Sequence, residues 1–393
     1  MLRILTLSTL FPDATRPNFG VFVERQTLGL AAHPDVVLKA VAPIGLPPGV
    51  FKRVAHYAKL ATLPVRESWK GIDVHRPRFA VRPLLKGRRH PAELVRALGP
   101  VLDAIRQDFA FDVIDASFFF PDGPAAVALG KRYGVPVSIK ARGADIHHWG
   151  TASATAARVR RAGRDAAGML AVSAAMKADM VAMGLPADRI RVHHTGVDQD
   201  RFRPRDRIAG KAALGVTGPL VVSVGALIPR KGHDIVIDAV AALPGVMLLI
   251  AGEGPERAAL EARIARCGIA DRVRLLGAVP HAELPPLIAA ADVSALAFSS
   301  EGLANAWVES LACGTPIVIT DAGGAREVVT SPDAGRVTIR DGLAFAAAID
   351  TLLSNPPSPE ATRRSAAPFT WEANTETLYE HLAGLVVDHP WRG

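Results

Sequence analysis

Short, continuously apolar runs alternate with helix-patterned segments along almost the whole chain. Strands with one wet face alternate apolar and polar residues. Runs that are apolar throughout mark strands covered on both faces, as in parallel sheets. The first half predicts strands at Ile4–Ser8, Val36–Ala42, Ile72–Arg76, Phe111–Ala116, Val135–Ala141, Met169–Ser173 and Ile190–His193. Helices are expected at Phe22–Ala32, Pro91–Gln107, Gly123–Arg132 and Ala174–Met183. This is the βαβ rhythm of a doubly wound α/β sheet.

A polar stretch bearing Arg and Pro, Asp198–Arg207, reads as a linker. The rhythm then restarts with strands at Leu220–Gly225, Val246–Ala251, Val273–Leu276, Val293–Ala297 and Ile317–Thr320. Helices fall at Asp234–Ala242, Pro255–Arg266, Ala282–Ala289 and Ala306–Ala312. The division expected is residues 1–200, residues 208–368, and a C-terminal helical stretch 369–393 packing back on the first half. Two Rossmann-like domains of this kind present their strand ends to a central cleft, where ligands of open α/β sheets bind.

Composition narrows the class. Charged residues make up 21% of the chain, too many for a membrane-embedded protein. No apolar run reaches the ~18 residues a span needs. The apolar N-terminus stops at Pro12-Asp13 without a small-residue cleavage site, so it reads as a first strand and not as a signal peptide. Cys267 and Cys313 lie far apart and offer neither a disulfide framework nor a Cys-rich zinc site, which fits a reducing, cytoplasmic compartment. The net charge of +8 is concentrated. Residues 51–90 carry eleven Lys or Arg, from Lys52 and Arg53 to Arg88 and Arg89, against Glu67 and Asp73. Phe51, Tyr57, Leu60, Trp69, Leu84 and Leu85 are interleaved. Such a segment suits an anionic membrane surface or a phosphorylated lipid, or forms a solvated basic face. No nucleic-acid recognition motif accompanies it.

Two segments carry chemistry. In Ser299–Thr320, Glu301 follows a strand in the loop that opens a helix, and Glu309 lies eight positions on, about two turns into that helix. Between them the amides of Gly302, Leu303, Ala304 and Asn305 stand at a helix start, suited to a pyrophosphate or an array of sugar hydroxyls. Two acceptor-only carboxylates match hydroxyl pairs. In Val224–Asp234, Gly225 follows a strand and Arg230-Lys231 precede a helix. A guanidinium fork and an ammonium there suit a diphosphate whose charge grows as it leaves. The spacing is not that of a P-loop.

These segments resemble glycosyltransferase family 4, a retaining family of GT-B fold. The resemblance extends to Gly252-Glu-Gly-Pro255, Leu276-Gly-Ala-Val-Pro280, Gly323-Gly-Ala-Arg-Glu327, Asn18–Glu24, Lys140–Asp145 and Arg191–Asp198, and so to nearly the whole chain. It implies transfer of a sugar from a UDP- or GDP-sugar to an acceptor hydroxyl with retained configuration. Attack then comes on the face of the departing diphosphate, one of whose oxygens takes the acceptor proton. By resemblance Glu301 contacts the donor sugar, Glu309 the ribose, and Arg230 and Lys231 the diphosphate. Gly20 lets the N-terminal loop approach the phosphates, and Val279 with Pro280 meets the base. No cofactor and no metal is implied. The acceptor expected is a lipid-linked glycan of polysaccharide synthesis at the inner membrane face. Two departures stand out. Ala226 replaces a common arginine, and Arg142 occupies a place where many members have histidine. Arg142 facing phosphate or sugar and Asp145 facing a hydroxyl are the natural replacements. Arg142–Asp145 equally reads as a turn that caps the next helix.

Other readings have their own marks. A sugar-nucleotide epimerase of the same shape would convert the donor without an acceptor. A membrane-surface scaffold would have lost turnover. A nicotinamide dehydrogenase would carry Gly-x-Gly-x-x-Gly after its first strand, which this chain lacks. His193-His194 imitates a metal pair, but neighbours at a strand end point to opposite faces. Asp198-Gln-Asp200 imitates a metal motif and is expected to form a turn.

Overall fold

The structure is a computed structural model that describes residues 1–17, 19–49 and 54–389. Asn18 of the N-terminal glycine loop, Phe51, Lys52 and Arg53 of the basic segment, and residues 390–393 lie outside the described residues. Two compact units form, one from Met1–His194 with the described residues from Trp371 on, the other from Thr195–Thr370. The breaks therefore fall at 194/195 and 370/371, not at 200 and 368. The stretch Asp198–Arg207 belongs to the second unit and is no free linker. Asp198 accepts the Phe202 amide at 2.8 Å on its carbonyl and so sits in a turn.

The first unit holds β1 (Leu2–Leu7), β2 (Val36–Val41), β3 (Ile44–Leu46), β4 (Arg66–Trp69), β5 (Ile72–His75), β6 (Arg78–Ala80), β7 (Val113–Ala116), β8 (Val137–Ala141), β9 (Gly168–Ala171) and β10 (Ile190–Val192). Eight of them form one sheet in the order β10-β9-β8-β7-β1-β2-β5-β4. All pairs are parallel except β4 with β5. β3 and β6 make a separate parallel pair. β3, β4 and β6 escaped the sequence reading because they are short. β4, Arg66-Glu-Ser-Trp69, is an edge strand with no apolar run to betray it.

One face of this sheet is covered by the helices Val21–Ala32 and Trp371–Val387. Leu378, Leu382 and Val386, spaced four apart, meet Ile4, Leu30, Val36, Val113 and Leu170. Farther along the strands the same face turns polar. Thr6, Asp115 and Ser138 stand in register across β1, β7 and β8, followed by Lys140, all buried.

The second unit holds β11 (Leu220–Val224), β12 (Met247–Ala251), β13 (Val273–Gly277), β14 (Val293–Leu296), β15 (Ile317–Thr320) and β16 (Gly335–Thr338). Their order is β13-β12-β11-β14-β15-β16, all parallel. Its core runs from Val221 and Val236 to Ile250 and Phe345. The order reverses between β11 and β14, so the loops after these two strands part to opposite sides of a crevice. This is the topological switch point at which doubly wound sheets bind ligands.

Residues 54–90 form no single amphipathic element. They are divided among a helix (Ala55–Ala61), β4, β5, β6 and a 3-10 turn (Pro83–Leu85). Several of their cations are used internally. Arg66 pairs with Asp73 at 2.7 Å and Lys70 with Glu24 at 2.9 Å. Arg76 is wholly buried against Glu67, and Arg78 donates to the carbonyls of Arg76 and Leu63. Of the exposed remainder, Arg82, Lys86, Arg88 and Arg89 flank Leu84, which is 96% exposed, while Lys59 stands on the helix Ala55–Ala61. Among the described residues no helix is long and apolar enough to cross a membrane.

Candidate functional site

The loop after β11 carries Gly225, Arg230 and Lys231. His233 fixes its start. That imidazole is buried, with Nε2 at 3.2 Å from the Gly225 carbonyl and Nδ1 at 3.1 Å from Ser223 Oγ. A carbonyl only accepts, so Nε2 carries the proton and Nδ1 accepts from the hydroxyl. The loop ends in a 3-10 turn, Pro229–Lys231. There Arg230 Nη1 donates to the Ser300 carbonyl at 2.7 Å and to Glu301 Oε2 at 2.9 Å. Lys231 Nζ donates to the same oxygen at 2.7 Å and stands 3.8 Å above the Phe298 ring. Burial pulls the Lys231 pKa below the lysine range, and Glu301 only partly restores it. Two cations on one carboxylate leave a net positive charge, with Lys231 and Glu301 largely buried and Arg230 open to solvent. An anion arriving there meets strong, charge-assisted donors.

The loop after β14 brings Glu301, then Gly302, Leu303 and Ala304, to the start of a helix at Asn305–Ala312. The helix starts at Asn305, one residue before the expected Ala306, so Glu309 lies just over one turn inside it, not two. Ala304 is the N-cap and provides no side-chain acceptor, so its first-turn amides carry no side-chain cap. The Asn305 side chain accepts from Thr195 Oγ1 at 2.9 Å. The loop is held from outside by Gly323-Gly324. The Gly324 amide donates to the Gly302 carbonyl at 2.7 Å. Gly323 has φ +53, and a Cβ there would stand 2.1 Å from the Glu301 carbonyl oxygen. Any other residue type would have to push the two loops apart.

Glu309 is 8% exposed, and its Oε1 lies 2.8 Å from His281 Nε2. His281 opens the turn that follows Val279 and Pro280, with Val279 half-buried in the loop after β13. Arg201 Nη2 lies 3.2 Å from His281 Nδ1 and donates to its carbonyl at 2.7 Å. The sequence reading did not single out His233, His281 or Arg201. Each works through a partner that only the fold reveals, 80 residues away for Arg201 and His281.

In the first unit the sequence candidates have other duties. Gly20, φ +70, precedes the helix Val21–Ala32, and a Cβ there would lie 1.5 Å from the Leu10 carbonyl oxygen. Close approach of the loop after β1 requires this glycine. Asp145 does not offer its carboxylate to a hydroxyl. It is fully buried and accepts the amides of Arg142 at 3.0 Å, Gly143 at 2.8 Å and Phe119 at 3.0 Å. The turn-holding reading is the one the structure supports. Burial raises its pKa against those amides. Arg142 is half-buried. Its Nε donates to the Ser117 carbonyl at 2.6 Å, its Nη2 to Gln26 Oε1 at 3.2 Å, and its guanidinium lies 4.7 Å from the Phe22 ring centre. Burial lowers its pKa to about 10. Lys140 Nζ shares Gln26 Oε1 at 2.9 Å and stands 2.8 Å from His193 Nδ1. His193 Nε2 donates to the Asn374 carbonyl at 2.9 Å, so His193 is a structural residue of this unit. Among the described residues no group of three or more His, Cys, Asp or Glu could hold a metal ion.

Two family models match the chain, one in each half. Residues 52–201 match Glycosyltransferase Family 4, and residues 204–368 match Glycosyl transferases group 1. Both halves of the chain thus resemble glycosyltransferases, the first half those of family 4. A D-inositol 3-phosphate glycosyltransferase of Mycobacterium tuberculosis is 40% identical over 210 residues, which are 50% of this chain and 44% of that protein. The chain thus spans less than half the length of that relative. The fold is GT-B, shared with two solved structures. Sucrose-phosphate synthase of Thermosynechococcus elongatus has TM-score 0.82 at 20% identity, over 98% of this chain and all of that one. HepE of Anabaena in complex with UDP-glucose has TM-score 0.74 at 21% identity, with the same coverage.

Proposed function

We propose that this protein transfers a hexose from a nucleoside-diphosphate sugar, UDP- or GDP-linked, to an acceptor hydroxyl with retained configuration. The observation that carries the reading is the trio Arg230, Lys231 and Glu301 beside an uncapped helix start, at the switch point of a parallel sheet. Arg230 and Lys231 would neutralise the leaving diphosphate, a task that then needs no metal. Glu301 would read hydroxyls of the sugar and Glu309 those of the ribose. The protein's part is positioning and charge stabilisation, with the acceptor proton passing to a diphosphate oxygen. The name of the mycobacterial relative includes a phosphorylated polyol, and that of a structural neighbour a sugar phosphate. A phosphate-bearing acceptor, lipid-linked and presented at an anionic membrane surface, fits that chemistry and the exposed tip of Leu84, Lys86, Arg88 and Arg89.

A thermal-shift panel of UDP-, GDP- and ADP-sugars identifies the donor, because a ligand stabilises the state it binds. The Arg230→Ala variant is then expected to lose most sugar transfer while melting like the wild type. Transfer at the wild-type rate by that variant would sink the assignment.

A further inference from the structure

We propose that His281, clamped by Arg201, is a positioning residue that locks one oxygen of Glu309 so that the other is presented to the ribose diol of the nucleotide. The inference rests on the donor reading above and adds the device that makes Glu309 selective.

The protonation pattern follows from the partners. An arginine has five donors and no acceptor. Arg201 Nη2, at 3.2 Å from His281 Nδ1, requires that nitrogen to accept. The ring proton therefore sits on Nε2, which donates to Glu309 Oε1 across 2.8 Å. Arg201 also grips the His281 carbonyl at 2.7 Å, and the Phe202 ring lies 5.3 Å from the imidazole. The imidazole is thus held in place, orientation and tautomer.

The consequence falls on Glu309. Its side chain has free torsions, and an unheld carboxylate would spread its two oxygens over many directions. With Oε1 engaged, the carboxylate plane is set. Among the described residues the carboxylate forms no second hydrogen bond. Oε2 is then an acceptor of fixed direction, and a pair of adjacent hydroxyls is the natural donor for it. An ordinary surface hydrogen bond would not be 8% exposed at one end and clamped by an arginine at the other.

The test compares affinities of the full chain for UDP and GDP and for their 2′,3′-dideoxy counterparts, by calorimetry. The wild type is expected to prefer the diol-bearing nucleotide by about tenfold or more. Glu309→Ala abolishes the preference. His281→Ala is expected to cut it to about threefold or less, with affinity for the dideoxy nucleotide unchanged. His281→Gln, which keeps an N–H donor, restores much of it, and Arg201→Ala falls between. A wild-type preference in His281→Ala, with Glu309→Ala still abolishing it, overturns the positioning role and leaves the donor reading intact. Equal weakening of all nucleotides in His281→Ala shows a general structural role and also overturns it. Retained preference in Glu309→Ala, or no nucleotide binding by the wild type, refutes the donor reading itself.

Discussion

Gly323→Ala is a substitution far smaller than its expected effect. The new Cβ would lie 2.1 Å from the Glu301 carbonyl oxygen and 2.5 Å from that of Gly302. Ordinary contact needs 3.4 Å or more, so the two loops must part by roughly 1 Å. The left-handed φ of +53 costs an alanine about 1 kcal/mol. Weakening the Gly324–Gly302 hydrogen bond costs about 1 kcal/mol more. A total near 2–3 kcal/mol leaves a typical domain folded. The activity should suffer more, since a shift of about 1 Å in a positioned group costs on the order of 100-fold in rate. Gly268 supplies the control. It has φ +66 with nothing within 4 Å of a Cβ, so Gly268→Ala carries the strain without the clash. Initial rates of sugar transfer and melting curves should show both variants folded and only Gly323→Ala impaired. Unchanged kcat/KM in a folded Gly323→Ala would refute the claim that this contact sets the place of Glu301.

Because burial lowers the Lys231 pKa, affinity for the sugar nucleotide should begin to fall at a pH below the ordinary lysine range. Lys231→Arg keeps the charge and should move that limb upward in KM profiles between roughly pH 7 and 10. Asp122 is fully buried, with Oδ2 bonded to the Thr9 amide and Oδ1 without a partner, and burial raises its pKa from 3.8 to about 7. The folded state then keeps a proton that the unfolded chain has lost. The stability this provides is present below pH 3.8 and is lost as the pH rises to about 7. Its size is on the order of 4 kcal/mol, and Asp122→Asn should reduce the slope in denaturant titrations across the window, leaving the share of the buried Asp115 and Asp145. Leu84→Asp should abolish binding to anionic vesicles at low salt; binding equal to the wild type would remove the tip from the membrane reading.

What could be read from the sequence followed the physical pattern of each element. Strands such as Val293–Leu296, buried on both faces, announce themselves by unbroken apolar runs. Glu301, Arg230 and Lys231 stood out because their loops directly follow such strands, and the fold brings the three side chains within hydrogen-bond reach. Asp145 was ambiguous because one residue type serves equally as a sugar contact and as an acceptor for amides. Only its full burial and its three amide partners decide the matter. The basic segment misled for a related reason. A count of charges does not distinguish Arg76, wholly buried against Glu67, from Arg88, which faces solvent. His281 was invisible because its role depends on Arg201, brought to it by tertiary folding alone.

The helix Trp371–Val387 completes the first unit with the last described part of the chain. The second unit is therefore an insertion within the first. During synthesis, residues 195–370 emerge as an uninterrupted stretch and can close their own core. The unit that begins first must wait, with Ile4, Val113 and Leu170 lacking the cover that Leu378 and Leu382 supply. Each of those leucines contributes about 2 kcal/mol by burial. On the ribosome the order of completion is thus the reverse of the order of translation. A nascent chain halted short of Trp371 is most exposed to aggregation through its oldest residues.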